Sequence, residues 1–64
     1  MSKKKFVRWT SDKGKIPKRA TVKHIGDKDD MGTVIDAEEA RSYVHFDSQA
    51  KPEWFSNRLL KVER

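Results

Sequence analysis

The chain has 64 residues, of which 34% are hydrophobic and 39% charged, with a formal net charge of +5 and no cysteine. That length holds one domain with a small core, and the missing cysteines exclude disulfides and thiolate zinc sites as reinforcement. Charge is divided unevenly: nine basic residues against the single acid Asp12 give Met1 to His24 +8, and six against nine give Ile25 to Arg64 −3, so a polyanion or an acidic protein surface is the expected partner.

In chain order, the Met1-Ser2-Lys3-Lys4-Lys5 start leads into no apolar secretory segment, and no stretch is apolar enough to cross a bilayer. The expectation is a soluble, cytoplasmic protein with no membrane partner. Residues 1–17 read as a basic N-terminal arm, disordered in its Lys3 to Lys5 run, and residues 18–64 as the domain proper. Lys3 to Thr10 has strand composition. When extended, it places Lys4, Phe6 and Arg8 on one face and Lys3, Lys5, Val7 and Trp9 on the other, so only one of its two aromatics is expected in the core.

The turn signal Ser11-Asp12-Lys13-Gly14 follows. Ala20 to Ile25 then reads as a strand with Val22 inward, and the step to Ile25 breaks alternation, predicting a bulge near Lys23 and His24. The acidic turn Gly26 to Asp30 leads into a strand over Met31 to Asp36. Asp36 to Ala40 has good helix propensity, but the window Ile35 to Arg41 is too short for an independent helix. It is read as a hairpin loop with room for a single helical turn.

Ser42 to Asp47 is the clearest strand, with Val44 and Phe46 on one face and Tyr43 and His45 on the other. The punctuated segment Asp47 to Pro52 ends it. Asn57 to Val62 closes the chain as a strand with Leu60 and Val62 on one face, entered through one helical turn at Ser56 to Arg58. Short strands at regular spacing predict an all-β domain.

Gly32-Thr33-Val34, a hairpin, Val44-His45-Phe46-Asp47, then Trp54-Phe55 and a terminal Leu60-Lys61-Val62-Glu63 together resemble the SH3-like barrels. In those barrels a glycine opens the strand returning from a long loop, a hydrophobic-x-Phe-Asp step ends the next, and the last strand follows a short helical turn. The resemblance spans Lys18 to Glu63. In layout it is similar to the accessory barrels of photosynthetic electron-transfer complexes, such as the PsaE-type photosystem subunit and the variable chain of ferredoxin-thioredoxin reductase, and to KOW and Tudor-type modules. It implies a small five-stranded SH3-like barrel and no particular activity, since these families differ in function. The Lys-rich Ser2 to Lys15 belongs to none of their patterns, and no aromatic-cage sequence accompanies them.

Catalytic machinery is not legible. Ser42, His45 and Asp47 assemble a hydrolase-like set on paper, but no strained nucleophile turn or glycine motif for an oxyanion hole accompanies them. Asp27, Asp29 and Asp30 lack the spacing of a calcium loop and read as a solvated turn. No enzyme activity, metal or cofactor is expected.

The functional signal is the basic segment. Lys3, Lys4, Lys5, Arg8, Lys13, Lys15, Lys18, Arg19 and Lys23, interleaved with Phe6 and Trp9, form the combination that neutralises phosphates and stacks on bases. Trp9 either stacks in this way or packs into the core. Trp54 and Phe55 point oppositely if extended, which leaves Trp54 as an aromatic contact beside Tyr43 unless both pack under the terminal turn. A nucleic acid, DNA or RNA, held through sequence-independent phosphate contacts is the expected partner. The alternative is a protein complex on which the domain docks as an accessory subunit.

Overall fold

The computed structural model describes residues 5–27 and 29–64. Six strands form one antiparallel sheet: β1 (Phe6–Arg8), β2 (Thr21–His24), β3 (Met31–Ala37), β4 (Arg41–Phe46), β5 (Glu53–Ser56) and β6 (Leu60–Glu63). Their order across the sheet is β1-β6-β2-β3-β4-β5. Two lone 3-10 turns, Ser11–Lys13 and Asn57–Leu59, connect β1 towards β2 and β5 to β6. Among the described residues no helix is long and apolar enough to cross a membrane.

The alternation that marks β2, β3, β4 and β6 in the sequence also selects their buried face. Val22, Val34, Val44, Phe46, Leu60 and Val62 are all buried, and the register sets Val22 opposite Val62 and Val34 opposite Val44. A single sheet with no covering helix layer excludes water from such residues only by curling over them. The ring contacts reflect that curl. Phe55 of β5 packs edge-on against both Phe46, 5.1 Å away, and His24 of β2, 6.1 Å away, although β2 and β5 lie three strand spacings apart, about 14 Å on a flat sheet. The radius of gyration of 10.8 Å matches the ~11 Å of a compact chain this long.

Gly32 sits where β3 meets the large side chains of β4. A Cβ there would fall 2.7 Å from Val44 Cγ1 and 2.9 Å from Phe46 Cδ1, closer than packed carbons approach, so the absent side chain makes room for the centre of the core. At the far end of the domain Asn57 is buried and ties three segments together. Its Nδ2 donates to the carbonyls of Glu38 (3.3 Å) and Glu39 (2.9 Å), its Oδ1 accepts from the buried Ser42 hydroxyl, and its backbone N–H donates to Ala40 O at 3.0 Å.

Several expectations are corrected. The five-stranded barrel is a six-stranded sheet whose ladder does not close, with β1 and β5 as its edges. No strand is expected from the sequence at Glu53 to Ser56, which pairs with β4 as β5. The bulge lies in β3: Val34 pairs with Val44 and Asp36 with Tyr43, leaving Ile35 as the extra residue. β2 ends at His24, and Ile25 leaves the alternation because the chain is already turning there. β3 continues to Ala37, so the hairpin connection is only residues 38–40 and takes no helical turn.

Part of the basic arm is built into the sheet. β1 pairs with β6, and Ile16 is buried within the core cluster at 1% exposure. Lys3 and Lys4 lie outside the described residues, and Lys5 is exposed.

Candidate functional site

Antiparallel pairing places directly opposed residues on the same face. Val7, Val62 and Val22 are aligned across β1, β6 and β2. Because Val62 and Val22 point into the core, the next residues along each strand point out. Arg8 is opposite Lys61, and Lys61 is opposite Lys23. Three cations therefore stand in one cross-strand row, about 10 Å from end to end at ordinary strand spacing. Like charges directly opposed across strands destabilise a sheet. Among the described residues none of the three has a carboxylate within ion-pair distance; the ion pairs found there join Lys18 to Asp36 at 3.7 Å and Arg41 to Glu38 at 2.8 Å.

An aromatic ring orders one end of this row. Phe6, on the same outer face as Arg8, lies under the Lys23 ammonium at 4.6 Å from ring centre, a cation–π contact that holds the lysine over the sheet. Phe6, Lys23, His24, Asp27 and Lys61 line a shallow groove of ≈ 220 Å³. His24 Nδ1 accepts from the Gly26 N–H at 3.0 Å, leaving Nε2 as the ring's donor.

The other predicted cations are dispersed. Lys13 and Lys15 flank Gly14, whose left-handed φ of +74° turns its carbonyl to accept the Trp9 indole N–H at 2.7 Å. Trp9 is half-buried, packs against the core, and carries the Lys13 ammonium 5.5 Å above its ring. Of the two arm aromatics, Trp9 is thus the one that joins the core, while its remaining surface lines an outer cavity. Lys18 is drawn to Asp36, an exposed pair worth ~0–1 kcal/mol. Arg19 adopts a left-handed φ of 71°, and its backbone N–H donates to Val34 O at 2.8 Å.

Asp12, the lone acid of this half, accepts from the Thr10 hydroxyl. That bond, followed by its own backbone N–H, holds its carboxyl below the usual carboxylate value. It is anionic at neutral pH and offsets part of the local charge around Lys13.

Of the two alternatives for Trp54, the structure has it beside Tyr43. The two residues face each other across β4 and β5 with ring centres 5.1 Å apart. The Arg41 guanidinium, anchored by Glu38, lies 4.2 Å over the Trp54 ring. Trp54 on the edge strand β5 and the bulge residue Ile35 on β3 remain exposed at 38% and 47%.

Ser42, His45 and Asp47 are not assembled. The Ser42 hydroxyl is inside and bonded to Asn57, whereas His45 is on the outer face with Nε2 2.9 Å from Gln49 O. In the acidic turn, Asp27 Oδ1 accepts from the backbone N–H groups of Asp29 and Asp30, and the Asp30 carboxylate accepts from the Ser48 N–H and hydroxyl. This turn is therefore pinned to the β4–β5 loop. Among the described residues no group of three or more His, Cys, Asp or Glu is placed to hold a metal ion.

Two basic residues at the site are absent from the sequence-based expectation. Lys61 belongs to a strand more than fifty residues from β1 in sequence, and Arg58 to the 3-10 turn before it. Only the insertion of β6 between β1 and β2 brings Lys61 to the centre of the row. Comparison of the chain with protein-family models, curated proteins and solved structures yields no match.

Proposed function

We propose that this domain binds nucleic acid through the outer face of β1, β6 and β2, with Arg8, Lys61 and Lys23 contacting successive phosphates and little dependence on base sequence. The observation that carries the reading is the cross-strand row itself. Three cations opposed across neighbouring strands, with no carboxylate in ion-pair range among the described residues, weaken the free sheet and are relieved when a polyanion lies across them. Lys5, Lys13 and Lys15 extend the field on the same half of the chain, and in this reading Lys3 and Lys4 add further contacts. The acidic turns at Asp27–Asp30 and Asp36–Glu39 repel phosphate and limit the footprint.

The accompanying fold proposal is an SH3-like arrangement, partly open, with β1 added at its edge. It is supported by Gly32 near the start of β3 and by the 3-10 turn directly before β6. Neither the fold proposal nor the functional one involves a catalytic step or a cofactor.

Anisotropy of a labelled oligonucleotide tests the reading. Affinity should fall steeply with salt, with a log–log slope of roughly −2 to −3 if three to four single-strand phosphates are engaged. Absence of binding at low salt would overturn it. A second reading, docking on a protein complex, draws on exposed Trp54 at the open β5 edge. It predicts a stoichiometric partner whose capture is lost on Trp54→Ala and unaffected by substitution of the basic row.

A further inference from the structure

Beyond Arg8 the basic row meets a second feature. Arg8, Trp9, Thr10, Ser11 and Arg58 line a cavity of ≈ 550 Å³, within the ~300–1,000 Å³ typical of ligand-binding clefts. Its wall combines two guanidinium groups, one indole and two hydroxyls. Among the described residues no carboxylate lines it directly, in contrast to three other cavities, which carry Asp27 and Asp30, Glu39, or Asp27; Asp12 stands behind it, accepting from the lining Thr10 hydroxyl. Trp9, Ser11 and Arg58 also line an adjoining groove of ≈ 250 Å³ that passes over Ala40, so the space continues past the 3-10 turn.

The chemistry of that wall is specific. Paired guanidinium groups fork a phosphate, the Ser11 hydroxyl donates to a remaining oxygen while that of Thr10 stays with Asp12, and an indole edge or face takes a planar base. Trp9 is oriented for this by its N–H bond to Gly14 O, which leaves its exposed part fixed and not free to swing. Arg58 comes from the last connection of the chain and is exposed.

Resting on the nucleic-acid reading above, we infer that this cavity receives one unstacked nucleotide, its phosphate between Arg8 and Arg58 and its base against Trp9, so that the domain prefers single strands to duplexes. The basic row then guides the flanking backbone. A paired, stacked base is held inside a duplex and cannot enter without opening a base pair, whereas a single strand presents its bases freely.

The test uses a labelled oligothymidylate of about 12 nucleotides, a length within the range of single-strand binding sites, and the duplex it forms with its complement. Trp54→Phe leaves Trp9 as the sole indole in the chain. Single-strand affinity should exceed duplex affinity by about tenfold or more, the range set by stacking of one base. Trp9 emission should change in step with single-strand anisotropy, and Arg58→Ala, checked for an unchanged circular-dichroism melt, should abolish the preference. Equal or tighter duplex binding, or constant Trp9 emission at saturating single strand, would overturn the inference while leaving phosphate binding by the row intact. Absence of binding to both probes removes the nucleic-acid reading and this inference together.

Discussion

Replacing Asn57 with Ala is expected to lower folding stability by ~2–4 kcal/mol, more than any surface substitution in the chain. The side chain is 5% exposed, and its amide spans the start of the terminal 3-10 turn, the β3–β4 connection and β4. Truncation removes both carbonyl contacts. It also leaves the Ser42 hydroxyl, 0% exposed, without its acceptor, and an unpaired buried polar group costs ~1–3 kcal/mol. A domain of this length has a total stability of only ~3–10 kcal/mol, so the loss consumes a large share of it. Thermal melting followed by circular dichroism should drop by roughly 10–30 °C. Ser42→Ala should cost less, ~1–2 kcal/mol, because Asn57 keeps the Glu38 and Glu39 carbonyls. Equal stability of Asn57→Ala and the parent chain, or the reverse order of the two variants, would contradict this account of what closes the far end of the sheet.

The second large effect concerns binding. Simultaneous replacement of Arg8, Lys23 and Lys61 by Ala should weaken single-strand affinity at low salt by roughly 100-fold. It should also reduce the magnitude of the salt slope by about 2, because three phosphate contacts each release a fraction of a counterion. Stability should hold or rise, since the substitutions remove like charges opposed across β1, β6 and β2. That combination separates a binding role from a structural one: residues that merely supported the fold would lose stability and affinity together. An unchanged slope in the triple variant would show that the row does not meet phosphate.

Much of the fold is legible because inward positions at period two carry Val, Leu and Phe. Val22, Val44, Phe46, Leu60 and Val62 are readable in this way, and each is buried; Val34 joins them in the core. The 3-10 turn before the last strand is legible too, from the break between Trp54-Phe55 and Leu60-Lys61-Val62.

What escapes the sequence has physical causes. β5 is four residues long and on an edge, so only Phe55 packs on the core while Trp54 faces out. That leaves too little alternation to mark a strand. Ile16 is flanked by Lys15 and Pro17 in a non-periodic connection and reaches the core only through the path of the loop. Asn57 is polar and has no hydrophobic signature to announce its burial. The odd step at Ile25 invites a bulge, yet it marks the end of β2, while the real bulge at Ile35 sits inside an apolar run that reads as regular.

The candidate site divides in the same way. Arg8 and Lys23 stand out by composition, as do Tyr43 and Trp54 by type. Their grouping is a product of topology: placing β6 between β1 and β2 draws in Lys61, and the turn before β6 brings Arg58 beside Trp9. Lys18, in the same sequence cluster, is instead engaged by Asp36. A charge run in sequence thus becomes a shorter and differently composed row on the sheet.

The most direct test of the central claim is a residue-resolved nuclear magnetic resonance titration of the isotopically labelled chain with an oligothymidylate at low salt. The account predicts that shift changes concentrate at Phe6, Arg8, Lys23, Arg58 and Lys61, that they collapse as salt is raised, and that Asp27, Asp29, Asp30 and Asp36 to Glu39 stay in place. Changes centred on Tyr43 and Trp54 with the row unmoved, or no changes at all, would contradict it.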